Sequence, residues 1–172
     1  MNRQTRLRRA AILCCHYARN LAYYQAGWRD GQAVFDRRSQ FWVTANGNAL
    51  DICILEWCKL FGSRDEEHHW HLLVDDVAEF KSAMLRTVGE SEMEFVDLWQ
   101  DVKCYRDSFV AHLDQHNIAH IPYVSRTLPY VAFLFDHIRA ELQQAEIPAD
   151  LMSVYNRFLD EARLCYDNVP RV

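Results

Sequence analysis

The sequence predicts an all-α fold, an up-and-down bundle of about five to six helices, on three observations. Half of the 172 residues are apolar and 13% are aromatic, while only five glycines and four prolines punctuate the chain. That composition suits long helices and is poor in the turns that β-structure requires. Apolar residues recur at three- and four-residue spacing in several segments, and residues that start and stop helices fall at the segment ends. A chain of this length buries roughly 70% of the surface its unfolded form exposes. No repeat, low-complexity tract or linker divides it, so residues 1–172 are expected to form one domain.

A first helix is predicted from about Arg8 to Gln25, ending near Gly27, and a second from about Gln40 to Leu60, stopping at Gly62. Ser63 to His71 reads as a polar loop. A shorter amphipathic helix follows from about Asp75 to Val88, with Val77, Phe80, Met84, Leu85 and Val88 at helical spacing and Gly89 after them. The next helix has the clearest start, because Ser91 can cap it while Glu94 reaches back to the amide of the cap; it is expected to run to about His112. Ile121-Pro122 disfavours helix. A fifth helix covers about Arg126 to Ala145 with Pro129 in its first turn, and Pro148 is expected to open the last, which ends before Pro170.

The formal charge of -5 argues against a protein that coats nucleic acid by broad attraction. Arg3, Arg6, Arg8 and Arg9 cluster at the amino end, and their plain reading is a solvated helix start or a frayed arm. The six cysteines lack the paired spacing of a zinc ribbon or redox motif and read as reduced, buried small hydrophobes. Ala10 to Cys15 is too short an apolar run for a secretion signal. No segment approaches the ~18 apolar residues of a membrane span, and the cytoplasm is the expected location.

On a helical wheel centred on Val102, residues Phe95, Leu98, Trp99, Tyr105, Phe109 and Leu113 fall within about 60° and form an apolar stripe. Arg106 lands inside it at about 40°, and His112 on its opposite edge at about -80°. Burying a guanidinium is costly unless it is paired, so Arg106 calls for either a carboxylate partner or a functional cleft. Arginine and histidine together suit RNA cleavage without a metal: imidazole moves protons at the 2′-hydroxyl or the leaving 5′-oxygen, and guanidinium holds the phosphate and its developing charge. A regular helix leaves the two about 120° apart. Bringing them together takes a bend before His112, or a two-fold dimer packed along the stripe.

The segment Tyr-Arg-Asp-Ser-Phe-Val-Ala-His-Leu-Asp at residues 105–114 resembles the signature of the HEPN domain superfamily, in which an arginine followed by a polar residue precedes a histidine; here five residues intervene. Its wording, followed by Ile121-Pro122, is similar to HEPN-like proteins of bacterial abortive-infection and toxin systems. A fainter likeness, including His-Trp-His-x-x-Val at residues 69–74, extends over much of the chain. The resemblance implies a dimerising helical bundle with the motif at the dimer cleft, and a metal-independent endoribonuclease that leaves a cyclic phosphate and needs no cofactor. Arg106 and His112 carry over as catalytic, with Asp107 as a supporting group. One HEPN branch has, two residues after the histidine, a tyrosine that a partner nucleotidyltransferase modifies; here Asp114 stands there.

The plainer reading pairs Arg106 with Asp101 or Asp107 and makes His112 a helix-end histidine favoured by the dipole. The rival function is a non-catalytic helical module that binds RNA or a protein partner such as an antitoxin. His68, His69 and His71 follow Asp65, Glu66 and Glu67 in a polar loop without the anchored spacing of a zinc site, and His112, His116 and His120 would align only in one unbroken helix. Asn46, Asn48 and Asp51 read as buried hydrogen bonding or a dimer seam. Cys104 shows no sign of thiolate activation. Tyr105 is the aromatic residue singled out for RNA binding, one heptad before His112 on the same face.

Overall fold

A computed structural model describes residues 1–110, 120–142 and 147–168. Among the described residues six α-helices form a bundle, as the composition and periodicity predict, and the only strands are a two-residue pair. Helix α1 (Arg3–Ala26) runs through the middle and packs against α2 (Gln40–Phe61), α5 (Leu128–Glu141) and α6 (Leu151–Asp167). Its buried face carries Ala10, Ala11, Cys14, Ala18 and Ala22, small side chains that let neighbouring helices approach closely. It begins five residues before the predicted start because the Asn2 side chain accepts from the Thr5 amide at 2.8 Å. Arg3 contacts Glu141 at 2.7 Å and Asp75 at 3.0 Å, so the amino-terminal arginines are helical and not a frayed arm.

Between α1 and α2 lies a β-hairpin that the sequence reading did not anticipate, strands β1 (Trp28–Arg29) and β2 (Gln32–Ala33). Asp30 and Gly31 have φ of 52° and 76°, the positive values that a two-residue hairpin turn requires and an Asp-Gly pair supplies. Beneath it Asn46 is fully engaged: Trp28 Nε1 donates to its Oδ1 at 2.9 Å, and its Nδ2 donates to the Tyr24 carbonyl at 2.9 Å and the Tyr166 hydroxyl at 3.2 Å. Helix α2 ends where predicted, at Gly62, whose amide donates to Cys58 O at 2.8 Å. A Cβ there would lie 2.5 Å from that carbonyl oxygen, so only glycine makes the stop.

Helix α3 (Val77–Val88) is capped by Asp76, which accepts from the Ala78 and Glu79 amides, and ends at Gly89 with φ 80°. Helix α4 (Glu92–Tyr105) carries the predicted capping box, with Ser91 N donating to Glu94 Oε2 at 2.7 Å and Glu94 N to Ser91 Oγ at 3.3 Å. It is shorter than expected and passes into a π-turn at Arg106–Val110. Helix α5 follows a 3-10 turn at Val124–Thr127 and has proline in its first turn. Pro148 does not open the last helix: Asp150 does, its carboxylate accepting from the Ser153 amide at 2.6 Å, a stronger start than a proline alone.

The core gathers Tyr17, Trp57, Phe61, Tyr130 and Phe135, each less than 2% exposed. Tyr17 donates to Thr127 Oγ1 at 2.6 Å and Thr127 in turn to the Val124 carbonyl, so the largest buried hydroxyl is satisfied. Cys14, Cys53 and Cys58 are buried as expected, whereas Cys104 and Cys165 are exposed on the outer sides of α4 and α6. Among the described residues no helix is long and apolar enough to cross a membrane.

Candidate functional site at the end of the fourth helix

The apolar stripe of α4 is spent on the interior of the chain. Phe95, Leu98, Val102 and Tyr105 are all under 9% exposed and belong to the main core, so these four positions of the stripe are spent within the chain. The regular wheel that set Arg106 and His112 about 120° apart fails across the π-turn, because each residue there advances less than in an α-helix. Such turns are rare and occur often at functional sites. Sequence periodicity gave no sign of it.

Arg106 begins this turn, with its side chain 20% exposed. Its Nε lies 2.6 Å from Asp107 Oδ1, yet this buried nitrogen has no acceptor in hydrogen-bond alignment. The two charges touch without the N–H pointing along the contact. Asp107 also receives Lys103 Nζ at 2.8 Å. The hydrogen bond from Lys103 first, then the charge of Arg106, hold its carboxyl below the usual carboxylate range. Asp107 thus stays ionised and holds two cations side by side. Asp101 takes no part in these contacts.

Tyr105 points the other way. Its ring is in the core and its hydroxyl donates to Asp51 Oδ1 at 3.0 Å. Burial pushes the Asp51 carboxyl up, opposed by that hydrogen bond, and pushes the Tyr105 hydroxyl well up. Cys58 of α2 lies in the fields of Arg106, Lys103 and Asp107, but burial dominates and its thiol is pushed up to about 12, far from a reactive thiolate. His112, Asp114 and His116 lie outside the described residues.

Beside the motif, between α3, α4 and the loop after α2, runs a groove of about 580 Å³. Arg64, His71, Lys81, Val96, Trp99 and Lys103 line it, and among the described residues no carboxylate does. Trp99 Nε1 donates to Phe61 O at 2.7 Å, and Lys103 Nζ stands 5.9 Å from the Trp99 ring centre. Val96, Trp99 and Lys103 follow one another at i+3 and i+4 along the solvent edge of the stripe, a spacing present in the sequence but overshadowed there by the arginine–histidine pair. Of the histidine loop, His69 is a core residue, 3% exposed. Among the described residues no three His, Cys, Asp or Glu side chains are arranged to hold a metal ion. No family model, curated protein or solved structure matches the chain.

Proposed function

We propose that the protein is a homodimeric, metal-independent endoribonuclease of the HEPN type, acting in a bacterial toxin or phage-defence system. Arg106 binds the scissile phosphate and His112 is the general acid or base. The observation that supports this best is the half-buried guanidinium of Arg106 at the head of a π-turn, its Nε lacking an aligned acceptor. Arg6 Nε shares that lack, so what sets Arg106 apart is its place, a cation among core-type positions at a turn of a kind that occurs often at functional sites. The wording of residues 105–114 adds to it.

In the reaction the ribose 2′-hydroxyl gives its proton to a base as its oxygen attacks phosphorus, and the P–O5′ bond breaks as the leaving oxygen is protonated. The products are a 2′,3′-cyclic phosphate and a 5′-hydroxyl, with no electron transfer and no metal needed. Imidazole titrates near neutrality and suits either proton step; Arg106, charged throughout, stabilises the phosphorane oxygens. Asp107 is a positioning residue that holds Arg106 beside Lys103.

Purified protein incubated with total RNA or tRNA in EDTA should give cyclic-phosphate ends. Arg106→Ala and His112→Ala should keep the helical circular dichroism and lower cleavage by about 10²- to 10⁴-fold. Cleavage unchanged in both variants refutes the assignment, and RNA bound but never cut points to the non-catalytic module, which would serve an RNA or an antitoxin protein.

A further inference from the structure

We infer that the groove between α3, α4 and the loop after α2 binds nucleotides of single-stranded RNA that flank the scissile link, with a base on Trp99 and phosphates on Arg64, Lys81 and Lys103. This deepens the ribonuclease reading and rests on Arg106 marking the scissile phosphate.

Charge supports that occupant. Three cations line the groove, and among the described residues no carboxylate does. Lys81 pairs with Glu92 at 2.5 Å and Lys103 with Asp107 at 2.8 Å, and these acids stand at the rim with 68% and 43% of their side chains exposed. The exposed Lys81–Glu92 pair is weak, so a phosphate replaces that carboxylate at little cost, while Lys103 keeps its bond to Asp107 and turns its remaining donors to the groove. Burial first, then the positive charges of Arg64 and Lys81, hold the His71 imidazole below its ordinary value. Both cations therefore project their field into the same space, which an anion would fill.

Geometry supports the strand. Trp99 is half-buried, and its bond to Phe61 O fixes the indole before any ligand arrives. A fixed aromatic beside a run of cations is the arrangement that accepts single-stranded bases without strict sequence choice. Lys103 lies one turn before Arg106, about 4.5 Å along the axis, and Asp107 touches both. The groove thus opens beside the proposed cleavage point.

The test uses a short fluorescein-labelled 2′-O-methyl oligoribonucleotide, which cannot be cut because the attacking oxygen is blocked, followed by anisotropy with the full chain. Arg64→Glu with Lys81→Glu should weaken binding about tenfold or more and make the slope of log affinity on log salt shallower by about 1.4. Trp99→Leu should weaken it several-fold with the helical spectrum retained. Arg86→Glu, the same charge reversal made once on α3 outside the groove lining, should stay within about twofold of wild type. If the double variant binds like Arg86→Glu, the proposal is overturned. It is equally overturned if uridine monophosphate alone competes as well as an unlabelled oligonucleotide, which would make this a mononucleotide site, or if a polyglutamate peptide does so, which would make it a site for acidic protein. Since the probe is never cleaved, failure of Arg106→Ala to stop cleavage sinks the ribonuclease reading and leaves the measured RNA binding standing.

Discussion

His69 is an imidazole that the fold keeps neutral. Its Nδ1 accepts from the His71 amide at 3.3 Å, and only 3% of the residue is exposed. Burial first, then the neighbouring His71, lowers its pKa to about 4. The unfolded chain therefore takes up a proton near pH 6.5 that the folded chain refuses. Stability is complete above that pH and falls as the pH drops toward 4, by at most about 3 kcal/mol and, allowing for solvent screening, nearer 2. Urea unfolding at pH 7.5 and pH 5 should differ by about this amount in the wild type and by clearly less in His69→Gln; an equal loss in both would place the proton elsewhere. The sequence showed a histidine cluster but not that its middle member is core, because burial is decided by what packs over the loop and not by the loop's own residues. Arg106 was legible for the opposite reason: helical spacing alone puts it on an apolar face. Tyr105 shared that face, yet its hydroxyl is committed to Asp51 of another helix, a partner no local pattern reveals.

At the scale of elements, several helix ends were readable because one residue makes the end, although the Asn2 and Asp150 caps were not. The Ser91 capping box, the left-handed Gly89 and the crowded Gly62 each act within a turn of their own position. The π-turn after Tyr105 and the 3-10 turn before Leu128 were not readable, since both depend on what the chain packs against. Glu90 shows how such packing is secured. Arg126 Nε and Nη2 donate to its two oxygens at 3.1 and 2.8 Å, and Tyr130 donates at 2.7 Å, tying the turn between α3 and α4 to the start of α5. Burial works to raise the Glu90 carboxyl, but these hydrogen bonds win and hold it below its usual range. Because Tyr130 is 0% exposed, removing its acceptor strands a buried hydroxyl. Glu90→Ala should cost about 2–3 kcal/mol in chemical denaturation, and Glu90→Gln less, since the amide oxygen still accepts one bond. A loss below about 0.5 kcal/mol would show that this joint is held by packing alone.

At the scale of the molecule, the outward face of α2 is anomalous. A surface helix usually turns charges to water, but Phe41, Thr44, Asn48, Ile52 and Leu55 fall on one side of α2 and are all exposed, at 70%, 42% and 37% for Phe41, Ile52 and Leu55. The acids that border this side are engaged, Asp51 by the Tyr105 hydroxyl and Glu56 by Lys59. Such a surface suits the charge-depleted centre of a protein interface and offers a phosphate no positive charge. Since the α4 stripe is already buried, α2 is the face on which the proposed homodimer would close. An uncharged patch meets its own copy about a two-fold axis without repulsion, and the π-turn that carries Arg106 packs on the same helix. Light scattering should find a dimer in the wild type. Ile52→Glu with Leu55→Glu should give a folded monomer, because four glutamates would then face one another across the seam. If the site needs both copies, RNA cleavage falls with the dimer and recovers in part as protein concentration rises. A wild type that stays monomeric at high concentration, or a monomeric variant that cuts RNA at the wild-type rate, would remove the two-fold cleft from the mechanism and leave Arg106 to act within a single chain.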